Sequence, residues 1–182
     1  MKVNGTAGEA NLQQDLYQPF IAALAANAYA PKTLRSLVAQ LPPMHWSVLL
    51  QMIAVLLHLD ALAPCQPDEA QKRAKPRCKA LNRHLCERAR HANEISHLAS
   101  PVTGGGVYLT RFEQVFVLAL ERGQRQPQEW ADFAWTQLQT DGQRILKDGK
   151  TLASPEENLA ELNAQAQSLA AKLPLLKALQ IV

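Results

Sequence analysis

Isoleucine and valine are scarce in this chain: together they supply 14 of its 182 residues, whereas alanine and leucine supply 56. β-Branched side chains favour strands, while Ala and Leu lose little freedom in a helix. An extensive sheet is therefore excluded, and helix is expected to dominate. Long apolar runs are missing too. The longest candidate, Val48 to Leu62, is interrupted by Gln51, His58 and Asp60, short of the roughly 18 unbroken residues that a membrane-crossing helix needs. Cysteine is limited to Cys65, Cys78 and Cys86, an odd number without CxxC spacing. That excludes a disulfide framework and fits a reducing compartment. Met1-Lys2-Val3-Asn4-Gly5 lacks the apolar core of a secretory signal, so a cytoplasmic location without a membrane partner is expected.

Catalytic signatures are equally sparse. There is no GxSxG elbow, no phosphate-binding loop, no acidic glycine-rich loop of the kind that binds methyl donors, and no Cys–His pair in a recognisable context. The expectation is a chain that is not an enzyme by itself and has no catalytic, cofactor-binding or metal residue of its own. His84, His91 and His97, beside Cys78 and Cys86, invite a metal reading. Metal ligands on one helix face sit four apart, whereas these histidines are seven and six apart. Histidines at helix ends are accounted for by the carbonyl dipole.

The chain length suits one large domain or two small ones. Asn11 to Ala28 reads as a first helix, Lys32 to Gln40 as a second, and His45 to Leu59 as a third, apolar enough for most of it to be buried. Leu41-Pro42-Pro43 separates the last two. Three short helices in this order match a helix-turn-helix core, and a wing would occupy the polar stretch from about Leu59 to Lys79. Pro64, Pro67 and Pro76 predict that this wing is short or mobile.

Beyond it, Lys79 to His91 reads as a helix and Ile95 to Pro101 as a short strand. Thr110-Arg111-Phe112-Glu113 is a capping box that opens an apolar helix, and Pro127 to Thr140 forms the next. Asp148-Gly149 predicts a hairpin near 143–153. Ser154-Pro155-Glu156-Glu157 caps a last helix to about Lys172, which Leu173-Pro174 breaks. The fold class is mainly α with short β-hairpins. It is winged-helix-like, with a helical unit over 1–78 and a second over 79–182, and two tandem winged-helix-like units are one form of that reading.

Two segments are candidates for binding. The first is Thr103, Gly104, Gly105, Gly106 and Arg111. A glycine triplet costs too much chain entropy to lie inside an element, so it forms a loop whose N–H groups could face an anion or a partner's carbonyls. The other use of such glycines is close backbone packing, and no nucleotide fingerprint is completed here. The second candidate is the basic run Lys72, Arg73, Lys75, Arg77, Lys79, Arg83, Arg88 and Arg90. With Glu87 as its one acid, the segment 71–91 carries +7; the chain carries +3, so the remainder carries −4. Such a run attracts phosphate or an acidic protein surface, or is simply a solvated face. A nucleic-acid-binding winged helix would place cations on its recognition helix, yet His45 to Leu59 holds no Lys or Arg.

The stretch His97-Leu98-Ala99-Ser100-Pro101-Val102-Thr103-Gly104-Gly105-Gly106, followed by Leu109-Thr110-Arg111-Phe112-Glu113-Gln114, carries a resemblance. So does Asp148-Gly149-Lys150 with Ser154-Pro155-Glu156-Glu157-Asn158-Leu159-Ala160-Glu161-Leu162. Both resemble the C-terminal, non-catalytic part of bacterial S-adenosylmethionine-dependent methyltransferases with a methyltransferase regulatory domain. In protein-lysine methyltransferases of that architecture this part ends in a winged-helix region. The resemblance implies a regulatory or substrate-positioning module whose partner is the catalytic methyltransferase domain or its protein substrate. It places S-adenosylmethionine in a separate catalytic domain and transfers no catalytic residue. The alternative is a winged-helix nucleic-acid-binding regulator using residues 72–90.

Overall fold

The computed structural model describes residues 2–5 and 8–182. Met1, the first residue of the segment weighed as a leader, lies outside them. The chain forms two compact units, Met1–Cys65 and Gln66–Val182. It is mainly helical with short antiparallel strand pairs.

In the first unit β1 (Lys2–Gly5) and β2 (Gly8–Asn11) pair antiparallel, where the sequence pattern predicts no strand. Helices α1 (Gln14–Ala25), α2 (Leu34–Val38) and α3 (Trp46–His58) follow. Tyr17 and Phe20 from α1, Leu37 from α2, and Leu49, Met52 and Leu56 from α3 make the core. After α1 the chain reverses through Asn27, Ala28 and Tyr29, all left-handed with φ of 56, 52 and 62°. Such backbone costs L-residues about 1–2 kcal/mol each. The Lys32 ammonium offsets part of this, donating to the carbonyls of Leu24, Ala26 and Ala30 at 3.0, 2.7 and 2.9 Å.

Two expectations for this region are corrected. Helix α3 buries one face only: Trp46, Leu50 and Leu57 lie on the exposed side. The wing expected between Leu59 and Lys79 is not there either, because Asp68–Ala89 is one continuous helix, α4. Pro67 is its N-cap, and Asp68 and Glu69 complement the dipole of its first turn. Pro76 lies within the helix on an exposed side, where the carbonyl it leaves unpaired can reach water. The boundary expected at 78/79 therefore falls inside a helix, and the units divide between Cys65 and Gln66.

The second unit continues with β3 (His97–Ala99) and β4 (Gly106–Tyr108), which pair from His97↔Tyr108 to Ala99↔Gly106. Then come α5 (Arg111–Glu121), α6 (Pro127–Thr140), the hairpin β5 (Leu146–Lys147) and β6 (Lys150–Thr151), and α7 (Pro155–Ala178). The Asp148-Gly149 turn has φ of 50 and 77°, the positive values that a type I′ hairpin requires. β5–β6 does not join β3–β4; each hairpin is its own two-stranded sheet. Helix α5 is central, packed by α4, α6 and α7, with every residue from Glu113 to Ala119 buried. Helix α7 runs past Lys172 to Ala178 instead of breaking at Leu173-Pro174. Pro174 is exposed, while Leu169 and Leu176 on either side of it are buried and hold the helix to the core.

Both capping boxes are present. The Thr110 hydroxyl accepts from the Glu113 N–H at 3.3 Å, and the Glu113 carboxylate accepts from the Thr110 N–H at 2.8 Å. The Ser154 hydroxyl accepts from the Glu157 N–H at 3.1 Å, and the Glu157 carboxylate takes the Ser154 and Ala153 N–H groups at 3.1 and 2.9 Å. Thr110→Ala and Ser154→Ala should each cost about 1 kcal/mol. Equilibrium urea unfolding checks this, and unchanged midpoints for both variants would remove the caps from the list of stabilising contacts.

Candidate functional site

The glycine loop is tied down from within. Buried Ser100 donates its hydroxyl proton to the Leu179 carbonyl at 2.7 Å and accepts from the Val102 and Thr103 N–H groups at 3.2 and 3.3 Å. The Gly104 N–H donates to the Ser100 carbonyl at 2.9 Å, and the Gly105 N–H to the Thr103 hydroxyl at 3.4 Å. The Gly104 and Gly105 N–H groups are thus committed inside the loop, which corrects the expectation that these two face a partner. The Gln66 amide binds the Thr103 carbonyl at 3.3 Å, and the Gln66 N–H binds the Val102 carbonyl at 2.7 Å. The loop is thus fixed to the start of α4 and the end of α7.

Arg111 is corrected as well. Its Nε donates to the Ala89 carbonyl at 2.8 Å and a terminal nitrogen to the Arg90 carbonyl at 2.5 Å, so the guanidinium caps the last turn of α4. Burial lowers its pKa from the usual arginine value, and Asp141 pulls the other way. The accessible surface near this loop is instead Tyr108, which meets His97 edge-on at 5.6 Å.

The three glycines do different jobs. Gly104 has φ of +73°, and a β-carbon there would come within 2.8 Å of the Gln66 side chain. A β-carbon on Gly106 would sit 3.0 Å from that of His97, across the strand pair. One on Gly105 would meet nothing within 4 Å. Gly104→Ala should therefore lose about 1–2 kcal/mol, the left-handed cost. Gly105→Ala should be neutral or gain up to about 1 kcal/mol from the stiffer unfolded chain. Urea midpoints that moved equally for the two variants would refute this division.

The basic run resolves into paired and unpaired members. Lys72 pairs with Glu69 at 3.0 Å, and Arg88 pairs with Glu94. Arg90 reaches Glu87 at 3.2 Å and the Gln137 side-chain Oε1 at 2.6 and 2.8 Å. Partial burial works to raise the Glu87 pKa. Hydrogen bonds from Arg122 and Arg90 outweigh it and hold that carboxyl below its usual range. Arg73, Lys75, Arg77, Lys79 and Arg83 are exposed and have no ion-pair partner among the described residues. Leu81, 48% exposed in their midst, escaped the sequence reading. An apolar position following Arg73 and Arg77 at four-residue spacing was the available signal.

The histidines are dispersed in role. His91 pairs with Asp141 at 2.9 Å, and His97 packs on Tyr108. Cys86 is buried, which pushes its thiol up to about 12, with Glu121 and Glu87 adding to the shift. Among the described residues no three His, Cys, Asp or Glu side chains converge on a metal position. No described helix is long and apolar enough to cross a membrane.

One open cleft of about 320 Å³ lies between the end of α6 and the start of α7, lined by Trp135, Gln139, Gly142, Gln143, Arg144 and Pro155. Its walls hold one guanidinium and two amides and bring no carboxylate, imidazole or thiol together. Arg144 is already engaged with the Ala153 carbonyl.

Comparison with known proteins adds one relative. No family model matches the chain, and no solved structure matches it. An uncharacterized protein of Synechocystis is 32% identical over 177 residues, which make up 96% of this chain and 34% of that protein. The chain thus spans about a third of the relative's length.

Proposed function

We propose that this chain is a non-catalytic regulatory or substrate-positioning module of a longer S-adenosylmethionine-dependent methyltransferase. The observation that carries the proposal is the match of nearly the whole chain to one third of a longer relative. In that relative the same fold would be one segment, with twice its length left for a catalytic part.

The motifs behind the family resemblance support a modular role. Ser100, Thr110 and Glu113 lock the β3–β4 hairpin to its neighbours, and Ser154, Glu157 and Asn158 lock the β5–β6 hairpin to α7. These residues are spent on architecture, which is what a shared scaffold would have in common. A helix pair followed by a hairpin, α5–α6–β5–β6, is an order compatible with the winged-helix region that the resemblance implies. Its helix before the hairpin, α6, has no Lys or Arg and carries Glu129 and Asp132. That weighs against reading a nucleic-acid groove. Exposed Trp46, Leu50 and Leu57 on α3 give the first unit an apolar surface of the kind that protein partners cover.

Calorimetry tests the assignment on both parts. This chain should bind no S-adenosylmethionine at micromolar concentrations. The Synechocystis relative lacking its matched third should bind it. Failure of that remainder to bind the methyl donor, or binding by this chain alone, would overturn the proposal.

A further inference from the structure

Helix α4 carries five exposed cations that nothing in its own unit neutralises. On a helix of 3.6 residues per turn, Lys75, Lys79 and Arg83 follow one another at four-residue spacing along one line. Arg73, Arg77 and Leu81 follow at the same spacing along a second. Pro76 and Ala80, both exposed and short, lie between the two lines. From Arg73 to Arg83 the helix rises through ten residue steps, roughly 15 Å of helix axis. Like charges at i and i+4 destabilise a helix. Lys72 and Arg88 on the same helix, and Arg90 at its C-cap, have acidic partners. The five that lack them are therefore not a general property of the helix.

We propose that this face docks an acidic amphipathic segment of a protein. Its carboxylates would meet the two lines of cations, and an apolar side chain would cover Leu81. Leu81 decides between protein and nucleic acid: a phosphate backbone offers nothing to an exposed leucine, whereas an acidic helix with leucines offers both contacts. On the reading given above, on which this identification of the partner rests, the segment belongs to the methyl-donor-binding part of the longer polypeptide.

The test uses the full 182-residue chain and two labelled probes, titrated by fluorescence anisotropy at about 50 and 200 mM salt. One probe is a helical peptide with glutamates at four-residue spacing flanking a line of leucines; the other is a duplex DNA of similar length. The peptide should bind more tightly than the DNA at the higher salt. The triple variant Lys75→Glu/Lys79→Glu/Arg83→Glu should weaken peptide binding at least about tenfold, a size typical of several lost charge contacts. Leu81→Ser should weaken it several-fold at both salt concentrations. Lys147→Glu/Lys150→Glu, on the distant hairpin, should leave it unchanged.

Carbodiimide coupling of the wild-type chain to the peptide gives a second measurement that needs no variant. It should join peptide carboxylates to Lys75 and Lys79 in preference to Lys147 and Lys150. Tighter DNA binding at both salts with Leu81→Ser silent would make the face a nucleic-acid surface and overturn the proposal. Binding of neither probe, or equal effects of the α4 and hairpin reversals, would also overturn it. None of these outcomes touches the methyl-donor experiment. Conversely, a remainder that fails to bind the methyl donor would leave the peptide result standing and remove only the partner's identity.

Discussion

Trp130→Ala is expected to remove about 3–5 kcal/mol from the stability of the second unit. The indole is 1% exposed and stands on α6, which packs against both α5 and α7. Few side chains in so aromatic-poor a core fill as much space. Phe116, Leu138 and Leu162 of the same core cluster are themselves fully buried, so the cavity left behind has little room to collapse. A polar loss adds to the cavity, because the indole N–H donates to the Gln124 carbonyl at 3.1 Å, at the turn entering α6. A domain stable by about 5–15 kcal/mol would lose a large share of its margin. Urea unfolding followed by far-ultraviolet circular dichroism measures the change. A loss below about 1 kcal/mol would mean that α6 is not seated as described.

The second large effect is expected from a side chain with almost no apolar surface. Asn158 is fully buried at the start of α7. Its Oδ1 accepts from the Ile145 N–H at 2.8 Å, and its Nδ2 donates to the Leu152 and Ser154 carbonyls at 3.1 and 2.7 Å. One amide thus ties both ends of the β5–β6 hairpin to the helix that follows it. Asn158→Leu keeps the volume but leaves the Ile145 N–H and the Leu152 carbonyl without this partner. Stranding the buried Ile145 N–H and the partly buried Leu152 carbonyl costs about 1–3 kcal/mol each, so a total near 3 kcal/mol is expected. Asn158→Asp retains the acceptor for Ile145 and turns an anion toward two carbonyls, so it should destabilise at neutral pH as well. Urea midpoints for both variants within about 0.5 kcal/mol of the parent would rule out the clamp. Amide exchange at Ile145, faster in both variants, locates the loss at the hairpin.

What could be read from the sequence was local. The Thr110 and Ser154 capping boxes, the Asp148-Gly149 turn and the span of α6 depend on residues within four positions of one another, and each stands where the pattern placed it. The helical class followed from the same short-range preferences, in a chain dominated by Ala and Leu. Tertiary structure decided whatever depends on partners far along the chain. Pro76 and Pro174 read as breakers because proline removes a helix hydrogen bond. They are tolerated because each faces outward while residues on the opposite side of the helix are packed. Arg111 read as a surface contact, yet carbonyls some twenty residues earlier claim its guanidinium. The glycine loop read as a set of exposed donors, yet Ser100, held by Leu179 from the far end of the chain, takes the Val102, Thr103 and Gly104 N–H groups. Of the eight cations in the basic run, the sequence supplied the charge and its helical spacing. Only the folded chain settled which of them Glu69, Glu87 and Glu94 neutralise and which five have no acidic partner among the described residues, because ion pairing depends on where side chains meet in space.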